Sequence, residues 1–163
     1  MGLLRTIAFV VVGAAAALLV AAQFGALRGR MPDDLGVRDG RLKRPSKTPN
    51  SVSSQADLWP DHPQREYARI APLAPAKGDA AATLAALRTL LQQWPGATIV
   101  TDRPDYLYVQ FQTRVLHFVD DAEFWLDPQA QVLQVRSASR IGRKDFGVNR
   151  ERVEAIRAAL VAR

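Results

Sequence analysis

Apolar and polar positions divide the 163-residue chain into stretches with different periods. The first stretch has no polar face at all. Between Arg5 and Arg28 lie 22 uncharged residues, and a helix of about 20 residues spans a bilayer core. Residues 1–30 therefore predict a transmembrane anchor or signal sequence, with residues 6–27 in the membrane. A secretory signal usually has a shorter apolar region of about 7–15 residues, which favours an uncleaved anchor. The next stretch, residues 31–47, has no apolar period and predicts a basic flexible tether.

A folded domain is expected over 48–163. Its first part, 48–75, carries prolines at 49, 60, 63, 72 and 75, so it is extended rather than helical, with Trp59, Tyr67, Ile70 and Leu73 as anchors. Asp79 is a natural N-cap for a helix over 79–94, with Leu84, Leu87, Leu91 and Trp94 as its buried stripe and Pro95-Gly96 as its stop. Residues 97–140 then alternate with period two. Leu107, Val109 and Phe111 oppose Tyr106, Tyr108, Gln110 and Gln112. Ala122, Phe124 and Leu126 oppose Asp121, Glu123 and Trp125, and Leu133 and Val135 oppose Gln134, Arg136 and Arg140. A last helix, 149–162, has Asn149 as cap, a Val148–Val153 staple and a stripe of Val153, Ile156 and Leu160. The order predicts an α+β domain: a four-stranded, mainly antiparallel sheet with helices packed on one face, preceded by the transmembrane helix. The other, wetter face is expected to be covered by the proline-rich segment.

Composition changes this picture little; charge changes it more. Apolar content of 48% and charged content of 23% are ordinary. The net charge of +6 is uneven: residues 28–47 hold seven Lys/Arg against three acids, 48–135 six against ten, and 136–163 eight against three. This is no uniformly basic nucleic-acid binder. The absence of cysteine excludes disulfides, thiolate metal sites and cysteine nucleophiles. His62 and His117 stand alone, so no metal site and no cofactor is expected. The sequence contains no GxSxG elbow, which weighs against a serine hydrolase built on Ser53, Ser54, Ser137 or Ser139.

Three motifs carry a resemblance. PNSVSSQ at 49–55, FVDDAEFWLD at 118–127 and VRSASRIGRKDFGVNRERVEAIR at 135–157 together resemble the bacterial and plastid family called domain of unknown function 1499, over about residues 48–162. That family usually reads PNCVSS, and this chain has Ser51 or Val52 where the cysteine would stand, so a thiol role cannot operate here. The resemblance implies an exported or membrane-tethered protein and brings no activity with it.

Location is expected at a bacterial inner membrane with the domain on the periplasmic side. The basic residues after the anchor, read by the positive-inside rule alone, favour the cytoplasm. The functional expectation is a non-catalytic binding or structural module, with an anion site at the strand-to-helix turn 136–150. There Arg136, Ser137, Ser139, Arg140 and Arg150 would hold a small anionic ligand or an anionic lipid headgroup. The structural alternative pairs Arg136 with Asp121 or Glu123, and Asp145 with Arg140 or Arg150. A hydrolase would use Asp120 or Asp121 with Arg136 or Arg140, although neighbours on a strand point to opposite faces. An inward Asp120 would pair with Arg114. A third alternative is a scaffold subunit docking a membrane protein partner.

Overall fold

The computed structural model describes residues 2–75 and 78–162. Helix α1 (Gly2–Gln23) is exposed along its length apart from its last turn, and is long and apolar enough to cross a membrane. At 1.5 Å per residue its 22 residues reach about 33 Å. Its end is fixed to the domain: the Gln23 side-chain amide donates to the Val115 carbonyl at 3.1 Å, and Ala22 is buried.

The domain is α+β, as the periods predict, but its sheet has five strands rather than four. They are β1 (Ser51–Ser53), β2 (Ala97–Arg103), β3 (Tyr106–Gln112), β4 (Val119–Asp127) and β5 (Val132–Ser139), in the antiparallel order β1-β5-β4-β3-β2. The additional strand is the PNSVSS stretch, paired along β5 with Val52 opposite Ser137. Three residues between polar neighbours are too short to show an alternation, so only the pairing identifies them as a strand.

One face of the sheet carries the rows Leu107–Phe124–Val135 and Val109–Ala122–Ser137–Val52. Helices α3 (Ala80–Gln92) and α4 (Val148–Val161) cover it, with Leu84, Leu87, Leu91, Val153 and Ile156 in the shared core. Asp79 caps α3 by accepting from the Ala82 amide at 2.8 Å. Gly96 returns the chain to β2 at φ +76°, and any Cβ there would stand 2.5 Å from the Gln112 carbonyl oxygen.

The proline-rich segment does not cover the other face. After β1 it makes a short 3-10 turn (Ala56–Leu58) and helix α2 (Arg65–Ala68), then sends Ile70 and Leu73 into the helix-side core. Leu73 exchanges both backbone hydrogen bonds with Leu133. The cover comes instead from residues 30–47, expected as a flexible tether. Leu42 is 2% exposed, in a cluster with Tyr106, Tyr108 and Trp125 against which Leu35 and Val37 pack. Asp39 and Gly40, both at positive φ, form the two-residue turn of a small hairpin closed by reciprocal Arg38–Arg41 backbone bonds.

Candidate functional site

Alternation along β4 and β5 decides which charged side chains meet. On the face under residues 30–47, register sets Tyr108, Glu123 and Arg136 in one row, and Gln110, Asp121 and Ala138 in the next. Glu123 is fully buried. One of its oxygens accepts from the Gly36 amide at 2.7 Å and from the Tyr106 hydroxyl at 2.8 Å. Arg136, 3% exposed, faces the other oxygen at 3.6 Å. That spacing is an ion pair without a hydrogen bond, and Glu123 Oε2, Arg136 Nε and Arg136 Nη1 are all buried without a partner.

Burial sets the electrostatics of this pair. It pushes the Glu123 carboxyl above its ordinary value, against the pull of Arg136, the Gly36 amide and Tyr106. It pushes the Arg136 guanidinium down, against Glu123, Asp121 and Asp34. The phenols of Tyr106 and Tyr108 are likewise raised, first by burial and then by their carboxylate partners.

Arg140 completes the face. Its Nε and Nη2 fork onto both oxygens of Asp121 at 2.8 and 2.7 Å, and Nη2 also donates to the Tyr108 hydroxyl at 3.1 Å. The hydrogen bonds that Arg140 donates to Asp121 are the main cause of its raised pKa. The segment above is pinned by Gln55, whose side chain accepts from the Leu42 amide and donates to the Gly40 carbonyl. Lys43 pairs with Asp34, which this contact holds below the usual carboxylate range. Arg41 and Arg44 stack over the Trp59 ring at 5.4 and 5.2 Å.

The opposite face holds a second network, at the start of α4. Asn149 does not cap this helix. The helix begins one residue earlier, after Gly147 at φ +90°, and Asn149 is fully buried. Its amide group accepts from the Ser137 hydroxyl at 2.6 Å and donates to Ser139, Asp145 and the Asn50 carbonyl. The capping acceptor is Asp145, which takes the amides of Gly147 and Asn149. Asp145 pairs with neither Arg140 nor Arg150; it accepts from the Tyr67 hydroxyl. Burial alone would raise its pKa, but Tyr67, Asn149 and the two amides together hold it low. Asp120 meets Arg152 at 2.5 Å rather than Arg114, because Arg152 is one helical turn after Asn149 while Arg114 lies exposed in the β3–β4 turn.

The five residues of the expected anion site are thus separated. Arg136 and Arg140 lie under residues 30–47, while Ser137 and Ser139 face α4 and are engaged by Asn149. Arg150 donates to the Tyr67 carbonyl at 2.7 Å. Strand alternation alone separates arginines from serines at odd spacing. Asp120 and Asp121 are divided in the same way. The sequence reading missed Asn50, Gln55, Gly36 and Arg152. Of these, the covering segment had one legible signal, the Asp39-Gly40 hairpin turn. Among the described residues no group of three His, Cys, Asp or Glu could hold a metal ion.

Residues 41–160 match the family described as Protein of unknown function (DUF1499). Comparison with curated proteins and with solved structures gives no match. The matched span is most of the chain, and the chain belongs to this family.

Proposed function

We propose that this DUF1499 member is a membrane-tethered, envelope-facing binding or structural module without catalysis of its own. The observation that carries the reading is the path of the chain. It leaves an apolar helix long enough to cross a bilayer and, within seven residues, enters a segment packed across the sheet. The domain is held at the bilayer surface as one body rather than on a loose tether.

The state of the carboxylates supports the absence of catalysis. A hydrolase would use Asp120 or Asp121 with Arg136 or Arg140. Asp120 is tied to Arg152, both oxygens of Asp121 are taken by Arg140, and Glu123 holds Gly36 and Tyr106. None is left free in a cleft to exchange a proton with a substrate.

Protease added to spheroplasts tests the reading. The anchored protein should resist carbonate extraction, and its domain should be digested in intact spheroplasts. Protection of the domain until lysis would sink the envelope-facing assignment, and recovery in the soluble fraction would sink the anchor. A partner docked on the domain would appear as a protected, stoichiometric complex.

A further inference from the structure

A cleft of about 340 Å³ opens between residues 30–47 and the sheet, at the ends of β4 and β5. Its cationic lining comes from Arg30, Lys43, Arg44 and Lys47 above and from Arg136 and Arg140 below. Three of these are already balanced: Lys43 by Asp34, Arg140 by Asp121, and Arg136 by Glu123. Arg30 stands 3.6 Å from Asp33, with both side chains almost wholly exposed, a pair of little value. Six cations against four acids leave a surplus of two positive charges, carried by Arg44 and Lys47 at the rim.

The floor supplies a second, independent observation. Arg136 is 3% exposed and lines this cleft; Nε and Nη1 lie beneath the surface, Nη1 towards Glu123, which leaves Nη2 as the nitrogen that meets the cleft, with no hydrogen-bond acceptor among the described residues. A guanidinium this buried costs free energy unless an acceptor answers it. An acceptor that also answers a surplus of two positive charges is a phosphate group, with charge of about −1.5 to −2 at neutral pH and three acceptor oxygens. The carboxylate already lining the cleft does not repel it strongly, since Arg140 and Tyr108 occupy the oxygens of Asp121.

We propose that this cleft binds a phosphate group, with Arg136 as the floor donor and Lys47 and Arg44 closing on it from the rim. The inference goes beyond the module reading and does not depend on which side of the membrane the domain faces. Arg30 follows the end of α1 by seven residues, so two sources fit: a lipid headgroup ending in a phosphate monoester, and a soluble phosphate monoester.

The test uses the full chain in a phosphate-free maltoside detergent, titrated with inorganic phosphate and with glycerol 3-phosphate against sodium chloride of equal ionic strength. A saturable rise in melting temperature is expected. Lys47→Glu and Arg44→Glu, both exposed, should leave the ligand-free melting temperature nearly unchanged and weaken phosphate binding about tenfold or more. Repeating the titration in nanodiscs separates the sources. Phosphate binding retained in phosphatidylcholine discs and lost in discs containing phosphatidic acid, a phosphate monoester, assigns the cleft to a headgroup; binding retained in both assigns it to a soluble ester, and binding lost in both overturns the site. A chloride response equal to that of phosphate would overturn the site, as would rim variants that bind phosphate like the wild type.

Discussion

Both faces of one sheet are buried here, by different means. On the helix side, Leu107, Val109, Phe124, Leu133 and Val135 meet the leucines of α3 and the Val153–Ile156 stripe of α4. On the other side, Tyr106, Tyr108, Glu123, Trp125 and Arg136 are as thoroughly shielded, by a segment that packs Leu35, Val37 and Leu42 against the aromatic cluster. The first face is stabilised by area removed from water, at about 25 cal/mol per Å². The second must recover the desolvation of at least two ions through pairing and hydrogen bonds, which yields little net stability and strict geometry. Burial follows from what lies above a face, and polarity of the face does not forbid it.

The largest test of this difference uses adjacent residues that point to opposite faces. Phe124→Ala should cost about 3–5 kcal/mol as a cavity. Glu123→Ala should cost a similar 3–5 kcal/mol, because it leaves Arg136 charged and unpaired. The two losses separate on repair. Glu123→Leu combined with Arg136→Met should recover most of the second loss, since a buried ion pair is often replaceable by apolar volume. Urea unfolding measures all three, and a double variant no better than Glu123→Ala would show that the pair is worth far more than its desolvation cost.

A slightly smaller effect separates the covers themselves. Leu87→Ala, in the main core, should cost about 2–5 kcal/mol and lower the melting temperature of the whole domain. Leu42→Ala should be felt locally, because residues 30–47 can lift away while the helix-side core stays intact. The readout is limited trypsin digestion under native conditions, with cleavage after Arg41 and Lys43 rising sharply in Leu42→Ala. Equal loss of melting temperature in both variants would mean that the two faces unfold as one unit.

The same contrast explains what could be read from the chain. The helix-side face was legible because hydrophobic period reports it directly: α3, α4 and the strands 106–112 and 119–127 follow from spacing and capping residues. The polar face was legible as a face, down to the opposition of Asp120 and Asp121 and an Arg136 partner on β4. Its cover was not, because residues 30–47 bind through backbone amides and through Gln55, groups that leave no period. Asn149 shows the same limit. An asparagine before a helix ordinarily caps it, and only the packing of Asn50, Ser137 and Ser139 around it turns it into a buried hub. The arginines and serines of 136–140 looked like one site because they are near in sequence, although a period of two already assigned them to different faces.

Acid should act on the two sides with opposite sign. Asp145, at the start of α4, has a folded pKa held below its ordinary value. Its contribution is complete above the ordinary aspartate pKa near 4 and is lost as pH falls through the lower folded value. Glu123 has a raised folded pKa, so its charging penalty is absent below its ordinary value and grows as pH rises towards the folded one. Asp145→Asn should lower stability at neutral pH by about 1–3 kcal/mol, the cost of weakening a buried charged acceptor. Its melting temperature should then fall less steeply than the wild type's below about pH 4. Parallel curves down to pH 2 would remove Asp145 from the acid response.

The smallest effect compares surface contacts above the two faces. On the helix side Arg157 meets Glu154 at 2.9 Å with both groups partly exposed, and Glu154→Ala should change stability by no more than about 0.5 kcal/mol. Over the polar face, Arg41→Ala removes one of the two guanidinium groups stacked on Trp59. A cation–π contact at an exposed site is worth about 0.5–1 kcal/mol. That is a modest amount globally, but it falls on the small set of contacts that keep residues 30–47 in place. Arg41→Ala should therefore raise tryptic cleavage after Lys43 several-fold and shift Trp59 emission while leaving the melting temperature nearly constant. Glu154→Ala should leave the same digestion pattern untouched. If Arg41→Ala also leaves it untouched, Leu42, the Gly36–Glu123 bond and the Gln55 bonds hold the cover without help from the Arg41 stack.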